Sequence, residues 1–319
     1  MSREDPTISV VMINKNCARW IGEAIDSVLT QTYGKLELVV VDDASTDDSR
    51  EVVAGYAARD PRVVLVTSPV TLYTSGARNL GIERATGDYV SFLDADDRML
   101  PDTLARQLAA FREARARNPR VQLVCFDAYT LSEGGVRVSR YMGTEFWGVV
   151  RDEDAPGWAL PSTWFFPRAI AARFHPAWLV AEAGPFLDRI KGDGGFSYVG
   201  EPVVEYRMRM TSATLEHARN MMRAFAATDA TIAAGRGWDD PITPDQVPEP
   251  RWADLATWKY GRLAKSAAVN RRPLVALGAL ALASVAKPGA TLRKVAAELR
   301  RLVSTPRRTG PGRTETGRA

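Results

Sequence analysis

The chain has 319 residues, 45% of them hydrophobic, enough for one large domain with something smaller beside it. Charged residues make up 25%, ordinary for a soluble globular protein, and the net charge of +4 is a property of the tail: from Arg293 onward eight arginines and lysines face only Glu298 and Glu315. Two cysteines, Cys17 and Cys125, exclude a disulfide framework and a multi-cysteine zinc site; with only His175 and His217 besides, a metal site falls on carboxylates and so on a hard ion, Mg2+ or Mn2+.

In chain order, Ile8 to Ile13 is short and β-branched and predicts a strand. Ile21, Ala24, Ile25, Val28 and Leu29 follow at helical spacing. Leu36 to Val41 is a second strand, nearly all apolar, as where both faces are covered, and it stops at Asp42-Asp43. A helix from Ser49 to Ala58 follows, with Ser49 as its N-cap. Val63 to Val66 predicts a third strand, Ser75 to Ala85 a helix, and Tyr89 to Leu93 a fourth strand ending in Asp94-Ala95-Asp96-Asp97. Pro101 opens the next helix. Repeated β-α-β units imply a mainly parallel sheet with helices on both faces, whose ligands sit outside the carboxyl ends of the strands. Both acidic clusters fall at such ends.

Farther on, Val121 to Tyr129, Phe196 to Val199 and Val203 to Met208 read as strands, with Trp147, Trp158, Trp164 and Trp178 in irregular loops between. A helix is expected from Thr214 to Ala234, a Pro- and Gly-rich linker over 236–250, a helical extension over 251–303 and a disordered basic tail over 304–319. The N-terminus has no apolar h-region, so no secretory signal is expected. The longest apolar run, Leu274 to Ala286, has thirteen residues against the ~20 that span a bilayer.

The acidic turn after the fourth strand has two readings. It is a solvated cap for the helix that follows, or a set of carboxylates whose repulsion is relieved by a cation and phosphate oxygens. The turn has company: Val39-Val40-Val41-Asp42-Asp43-Ala44-Ser45-Thr46-Asp47, Gly76-Ala77-Arg78-Asn79-Leu80-Gly81 and Gly87-Asp88-Tyr89-Val90-Ser91-Phe92-Leu93-Asp94-Ala95-Asp96-Asp97 follow the Ile8–Ile13 strand. In this order and spacing they resemble the family-2 glycosyltransferases over about the first third of the chain. The looser Glu201-Pro202-Val203-Val204-Glu205-Tyr206-Arg207 extends the likeness through a catalytic domain over 1–235, with a nucleotide-binding half over about 1–100 and an acceptor half over about 101–235.

The resemblance implies a GT-A (Rossmann-like) α/β fold and transfer of a sugar, with inversion, from a nucleotide-diphosphate sugar, UDP-linked, to a glycan or lipid-linked acceptor, assisted by Mn2+ or Mg2+. It implies that Asp43 bonds the donor base, that Asp94 and Asp96 form the Asp-x-Asp motif, that Asp96 touches the ribose and that Asp96 and Asp97 serve the metal. Asn14 stands near the base or in a plain turn. Arg78 lies near the nucleotide or in an ion pair with a nearby Asp. Arg207, with Arg209, Thr211 and Ser212, belongs to a loop near the diphosphate or to an exposed basic hairpin.

One stretch departs from the family. Where members carry Glu-Asp before a helix, with the Asp as general base, this chain has Glu182-Ala183. Glu182 takes the base's place, Asp188 approaches from the next turn, or the protein is a catalytically impaired nucleotide-sugar-binding accessory of a glycan assembly system. A nucleotidyltransferase is set aside because Asn14 to Arg19 has no glycines. Basic and aromatic residues around Leu274–Ala286 fit peripheral contact with an anionic membrane from the cytoplasmic side, or a hairpin packed on the catalytic domain. No nucleic-acid module accompanies the basic tail.

Overall fold

The computed structural model describes residues 5–141, 160–170, 173–179, 183–193, 195–210, 218–236 and 240–286. The first part is a run of β-α units: β1 (Ile8–Asn14), α1 (Ile21–Leu29), β2 (Leu36–Asp43), α2 (Ser49–Ala57), β3 (Val63–Ser68), α3 (Tyr73–Arg84) and β4 (Tyr89–Asp94). Their strands are parallel in the order β3-β2-β1-β4. Alternation along each strand divides the side chains between two cores. Val10 and Met12 of β1, with Leu38 and Val40 of β2, pack on one face with Ile21, Ile25 and Val28 of α1. Val11, Val39 and Val41 pack on the other with Ala77 and Ile82 of α3. Because both faces are covered, these strands carry almost no polar residue until their last positions.

Helix α3 can lie against β1 and β2 only because residue 81 is glycine. A Cβ there would stand 2.2 Å from Val11 Cγ1 and 3.3 Å from Val41 Cγ2. The last glycine of the Gly76–Gly81 segment is thus a packing requirement, whatever else the segment does.

Next come β5 (Arg98–Met99), α4 (Thr103–Arg117), β6 (Leu123–Ser132), β7 (Arg137–Arg140), β8 (Phe165–Pro167), α5 (Ala183–Asp193) and β9 (Phe196–Met208). The sheet continues from β4 through β8, β6 and β9 to β5, with antiparallel pairings at β4–β8, β8–β6 and β9–β5 and a parallel one at β6–β9; β7 pairs with β6. The protein is therefore an α/β domain with a mostly parallel central sheet flanked by helices. The stretches Phe196–Val199 and Val203–Met208, expected as two strands, form one. Val199 pairs with Phe126 and Pro202 with Asp127, so Gly200 and Glu201 are bulged out between them. Ser49 is the first residue of α2 rather than its cap; Asp48 holds that position, and Asp47 Oδ1 accepts from the Ser49 N–H at 3.1 Å. Helix α4 starts after Asp102, two residues beyond Pro101. The short strands β5, β7 and β8 have no periodicity of their own and are created by their neighbours.

Helix α6 (Ala218–Ala233) packs through Ala224 and Ala227 on Trp178 and Val247, with Ile242 alongside. The described part of the expected linker, 240–250, thus lies against α6 and contains a 3-10 turn at Pro244–Gln246. Helices α7 (Trp252–Val269) and α8 (Pro273–Ala286) form a hairpin joined at Arg271, whose φ of 56° reverses the chain. Among the described residues no helix is long and apolar enough to cross a membrane. The expected tail over 304–319 and the end of the extension, 287–303, lie outside the described residues.

Candidate functional site

Parallel register brings the polar strand ends to one rim. Asn14 is opposite Asp42 on the β1–β2 ladder, and Ile13 is opposite Asp94 on the β1–β4 ladder. Three non-glycine residues with left-handed backbone cluster in the loops of this rim: Asn16 (φ 53°), Ala44 (φ 53°) and Tyr73 (φ 58°). Such conformations cost of order 1 kcal/mol each and persist where surrounding contacts over-determine them.

The β1–β2 corner supplies those contacts. Asn14 Nδ2 lies 2.8 Å from Asp42 Oδ1, 2.9 Å from Ser49 Oγ and 3.1 Å from Ser45 Oγ. Asn14 is buried, and its Oδ1 has no hydrogen-bond partner among the described residues. Lys15 Nζ donates to the carbonyls of Asp43 (2.6 Å) and Ala44 (2.9 Å) and to Thr71 Oγ1 (2.9 Å). Asp43 is buried, and its carboxylate accepts from the backbone N–H groups of Leu72 and Tyr73, so it fastens the loop ahead of α3. Burial raises its pKa above the ordinary value, against the pull of those N–H groups and of Lys15. Expected at the donor base, Asp43 is directed in this structure at the chain's own backbone.

Around the β4 turn, charges of opposite sign are interleaved. Arg78 Nη2 lies 2.8 Å from Asp94 Oδ1; the arginine is 3% exposed and the aspartate 30%. The Arg78 guanidinium also lies over the rings of Phe92 and Phe174, at 5.7 and 5.8 Å. The ion-pair reading of Arg78 is realised, and its partner is the first Asp of the Asp-x-Asp motif. Asp96 Oδ2 lies 2.7 Å from Arg209 Nε, both side chains being 15% exposed. Arg209 is held over the Trp20 ring at 5.1 Å, and its Nη1 is 3.7 Å from Cys17 Sγ. Burial raises the Asp96 carboxyl, opposed by Arg209 and reinforced by Asp94. Burial, with Asp96 nearby, also pushes the Cys17 thiol up to about 12, so it is not a reactive thiolate.

Two residues named from the sequence are enclosed in this structure and do not face the rim. Asp97, expected beside the metal, is fully buried. Its Oδ1 accepts from the Arg207 N–H at 2.9 Å, and its Oδ2 accepts from Ser162 Oγ at 3.1 Å. Burial, then Asp96 and Asp94, push its pKa well above the ordinary range. A carboxyl so enclosed ties strands together and presents no oxygen to the rim. Arg207, expected near the diphosphate, is 3% exposed. Its Nε donates to the Asp96 carbonyl (2.7 Å), its Nη1 to the carbonyls of Ser132 (3.3 Å) and Glu133 (3.0 Å), and its Nη2 to Glu23. It is a staple joining the β4 turn, the β6–β7 turn and α1. Arg209, two residues on, faces the acidic turn instead.

Ser162 is a site residue that sequence reasoning missed. Besides donating to Asp97, its Oγ accepts the Asp94 N–H at 3.2 Å. A lone serine in a Pro-Ser-Thr turn gives no sequence signal of this kind. Of the candidate bases, Glu182 lies outside the described residues, and Asp188 falls on α5 with only its backbone described. Ala183, where the base is expected, is the first residue of α5 and packs on the apolar cluster of Phe186 and Leu187.

The donor set suits a hard cation in one respect. Asp94 and Asp96 are oxygen donors on the same turn, few enough to leave most of a Mg2+ or Mn2+ shell to phosphate oxygens and water. Among the described residues no cluster of three or more His, Cys, Asp or Glu encloses a metal. The fit is to a cation shared with its ligand.

Residues 9–143 match the sequence model described as Glycosyl transferase family 2. An uncharacterized glycosyltransferase of Haemophilus influenzae is 41% identical over 103 residues, 32% of this chain and 41% of that protein. The Escherichia coli UDP-Glc:alpha-D-GlcNAc-diphosphoundecaprenol beta-1,3-glucosyltransferase WfgD is 36% identical over 106 residues, 33% of this chain and 41% of that one. The chain thus spans about two fifths of the length of these two curated relatives. Among solved structures, a mannosyltransferase of Pyrobaculum calidifontis in complex with GDP-Man and Mn2+ aligns with a TM-score of 0.57 and 22% identity, over 94% of this chain and 81% of that one. That likeness shows the fold, which is the GT-A fold, over nearly the whole chain.

Proposed function

We propose that this chain, whose residues 9–143 are a glycosyltransferase family 2 domain, transfers a sugar from a nucleotide-diphosphate sugar to a glycan or lipid-linked acceptor. The observation that carries the proposal is the pairing Arg78–Asp94 and Asp96–Arg209 at the end of β4. Two carboxylates flanked by the buried Arg78 and the partly buried Arg209 form a patch that can bind a diphosphate and a cation together while remaining near neutral. The β1–β2 corner, with Asn14 and the loops fastened by Lys15 and Asp43, borders the same rim and forms the nucleoside end.

In this reading Asp94 and Asp96 hold Mn2+ or Mg2+, and Asp97 fixes their turn. A bound cation supplies Lewis-acid neutralisation of the charge that grows on the leaving diphosphate. Arg209 donates to a diphosphate oxygen, and Arg78 holds Asp94 in place. The acceptor hydroxyl attacks the anomeric carbon opposite the leaving group. Its oxygen–carbon bond forms as the carbon–phosphate-oxygen bond breaks, which inverts the centre, and the proton passes to a carboxylate. Glu182, adjacent to the first residue of α5, is the assigned base. A UDP-linked donor is favoured by the name of the E. coli relative; the archaeal neighbour's GDP-Man makes the base a question for experiment.

The test is a thermal-shift panel of UDP-, GDP-, dTDP- and CDP-sugars with Mn2+ or EDTA, on wild type and Asp96→Asn. A ligand that binds only the native state raises Tm in proportion to RT ln(1 + [L]/Kd). A metal-dependent shift with one nucleotide, lost in Asp96→Asn, is the expected result. No shift with any donor in a folded sample refutes the reading. Ala183 at the base position favours one alternative, an accessory that binds donor without turnover. Binding with no sugar transfer or donor hydrolysis, unchanged in Glu182→Gln, would establish that alternative.

A further inference from the structure

Helix α8 has two apolar faces and, among the described residues, packs on α7. Ala276, Ala279, Leu280 and Ala283 are buried, with Ala279 and Leu280 clustered on Ala264 of α7. On the other side Leu274 is 82% exposed, Leu277 61%, Leu282 50% and Val275 41%. From Pro273 to Ala286 the only polar side chain is that of Ser284. A helix at a protein's surface ordinarily turns a polar face outward; one that is apolar all round belongs in a core or against lipid.

Length and charge select the partner. Fourteen residues rise about 21 Å, short of the ~30 Å hydrocarbon core, so α8 fits along a membrane surface and not across it. Arg271 and Arg272, both exposed, stand at its head. After its end the sequence from Lys287 to Ala319 carries nine lysines and arginines against two glutamates. An apolar face headed by two exposed arginines, on a helix that further cations follow in the sequence, is complementary to anionic lipid. A second copy of the chain fits poorly, because it would bring two such cationic sets together.

The hairpin is also fixed to the candidate site. Ser266 Oγ of α7 donates to the carbonyl of Arg209, Asn270 Nδ2 donates to that of Met208 at 2.8 Å, and Asn270 Oδ1 accepts the Glu133 N–H at 2.7 Å. The element presenting the apolar face therefore grips the strand end that aims Arg209 at Asp96.

From these contacts we propose that α8 docks the protein on an anionic lipid surface, through Leu274, Val275, Leu277 and Leu282 with Arg271 and Arg272. Docking stands apart from the donor reading. Its consequence, that the rim is held beside a lipid-borne acceptor, rests on the transferase proposal.

Flotation of the full chain with vesicles of phosphatidylglycerol and phosphatidylethanolamine, or of phosphatidylcholine alone, tests the proposal. Wild type is expected to float with the anionic vesicles and much less with the zwitterionic ones. Leu274→Asp/Leu277→Asp alters only exposed positions and should bind at least ~100-fold more weakly; Arg272→Glu should bind about tenfold more weakly at low salt. Tm and the nucleotide-dependent shift of the double variant should match wild type, which separates lost docking from lost folding and from failure of the donor site. Wild type that stays in solution, as when residues after Ala286 or a second copy cover the face, overturns the proposal. So does a double variant that floats as well as wild type. Sedimentation velocity identifies the second copy if a dimer is abolished by the same double variant.

Discussion

The rim has two contributors that work differently. The β1–β4 half places Asn14, Asp42 and Asp94 by register alone, since parallel strands of similar length end together. The end of β9 places Arg207 and Arg209 through contacts with distant parts of the chain, and it gives two arginines two residues apart opposite roles. Arg207 is occupied by four acceptors on three stretches of the chain, and Arg209 is left facing Asp96. A site built by register tolerates change at its rim and fails in its packing. A site built by a staple fails when the staple goes.

That difference can be broken at both ends. The largest expected effect is on turnover: Asp96→Ala or Asp94→Asn should lower the rate of sugar transfer by on the order of 10³-fold with the fold intact, read by initial rates and circular dichroism. Next is Arg207→Met, which takes the guanidinium from the carbonyls of Asp96, Ser132 and Glu133 and leaves Glu23 with Arg98 alone, while the backbone N–H to Asp97 is kept. It should cost about 3–5 kcal/mol in urea unfolding, and Arg207→Lys should recover little, because one ammonium cannot replace a fork that reaches four groups. Loss of less than ~1 kcal/mol in Arg207→Met would show that the β9 end is no staple. In the register-built half, Gly81→Ala should cost about 1–3 kcal/mol by forcing α3 off Val11, while nucleotide binding survives at low temperature.

The smallest effect lies at the opposite end of the same strands. Glu37 accepts from Ser9 Oγ, from the Thr86 N–H and Oγ1, and from the Gly87 N–H. Burial alone would raise its pKa, but these hydrogen bonds prevail and lower it below the ordinary 4.5. A lowered carboxylate pKa contributes stability that is full above the unfolded value and is lost as pH falls through the folded one. Glu37→Gln should therefore cost about 1–2 kcal/mol at pH 7 and progressively less below pH ~4, measured as the difference in unfolding free energy across pH. A difference independent of pH would show that the charge on Glu37 has no part in holding Gly87 and Thr86.

The β1–β4 half was legible residue by residue. Each strand was an apolar run ending in a polar residue, and each helix had its own spacing, so the acidic clusters Asp42-Asp43 and Asp94 to Asp97 could be placed at strand ends in advance, while Asn14 and Arg78 were singled out only through the family resemblance. The roles of Asp97 and Arg207 were not legible. An Asp beside two others, and an Arg at a strand end, carry the same local pattern whether they face solvent or one another. Only the meeting of β4, β9 and the Pro161–Thr163 turn made Asp97 the acceptor of Arg207 and Ser162. Likewise the run Leu274–Ala286 announced an apolar helix, but which of its residues stay uncovered depended on how α7 packs against it. By itself the sequence determined the parallel β-α core and the acidic rim, because periodicity and strand ends are local properties. Tertiary structure decided which charges pair, which face the rim and which face of α8 stays open, because burial and ion pairing depend on elements a hundred residues apart.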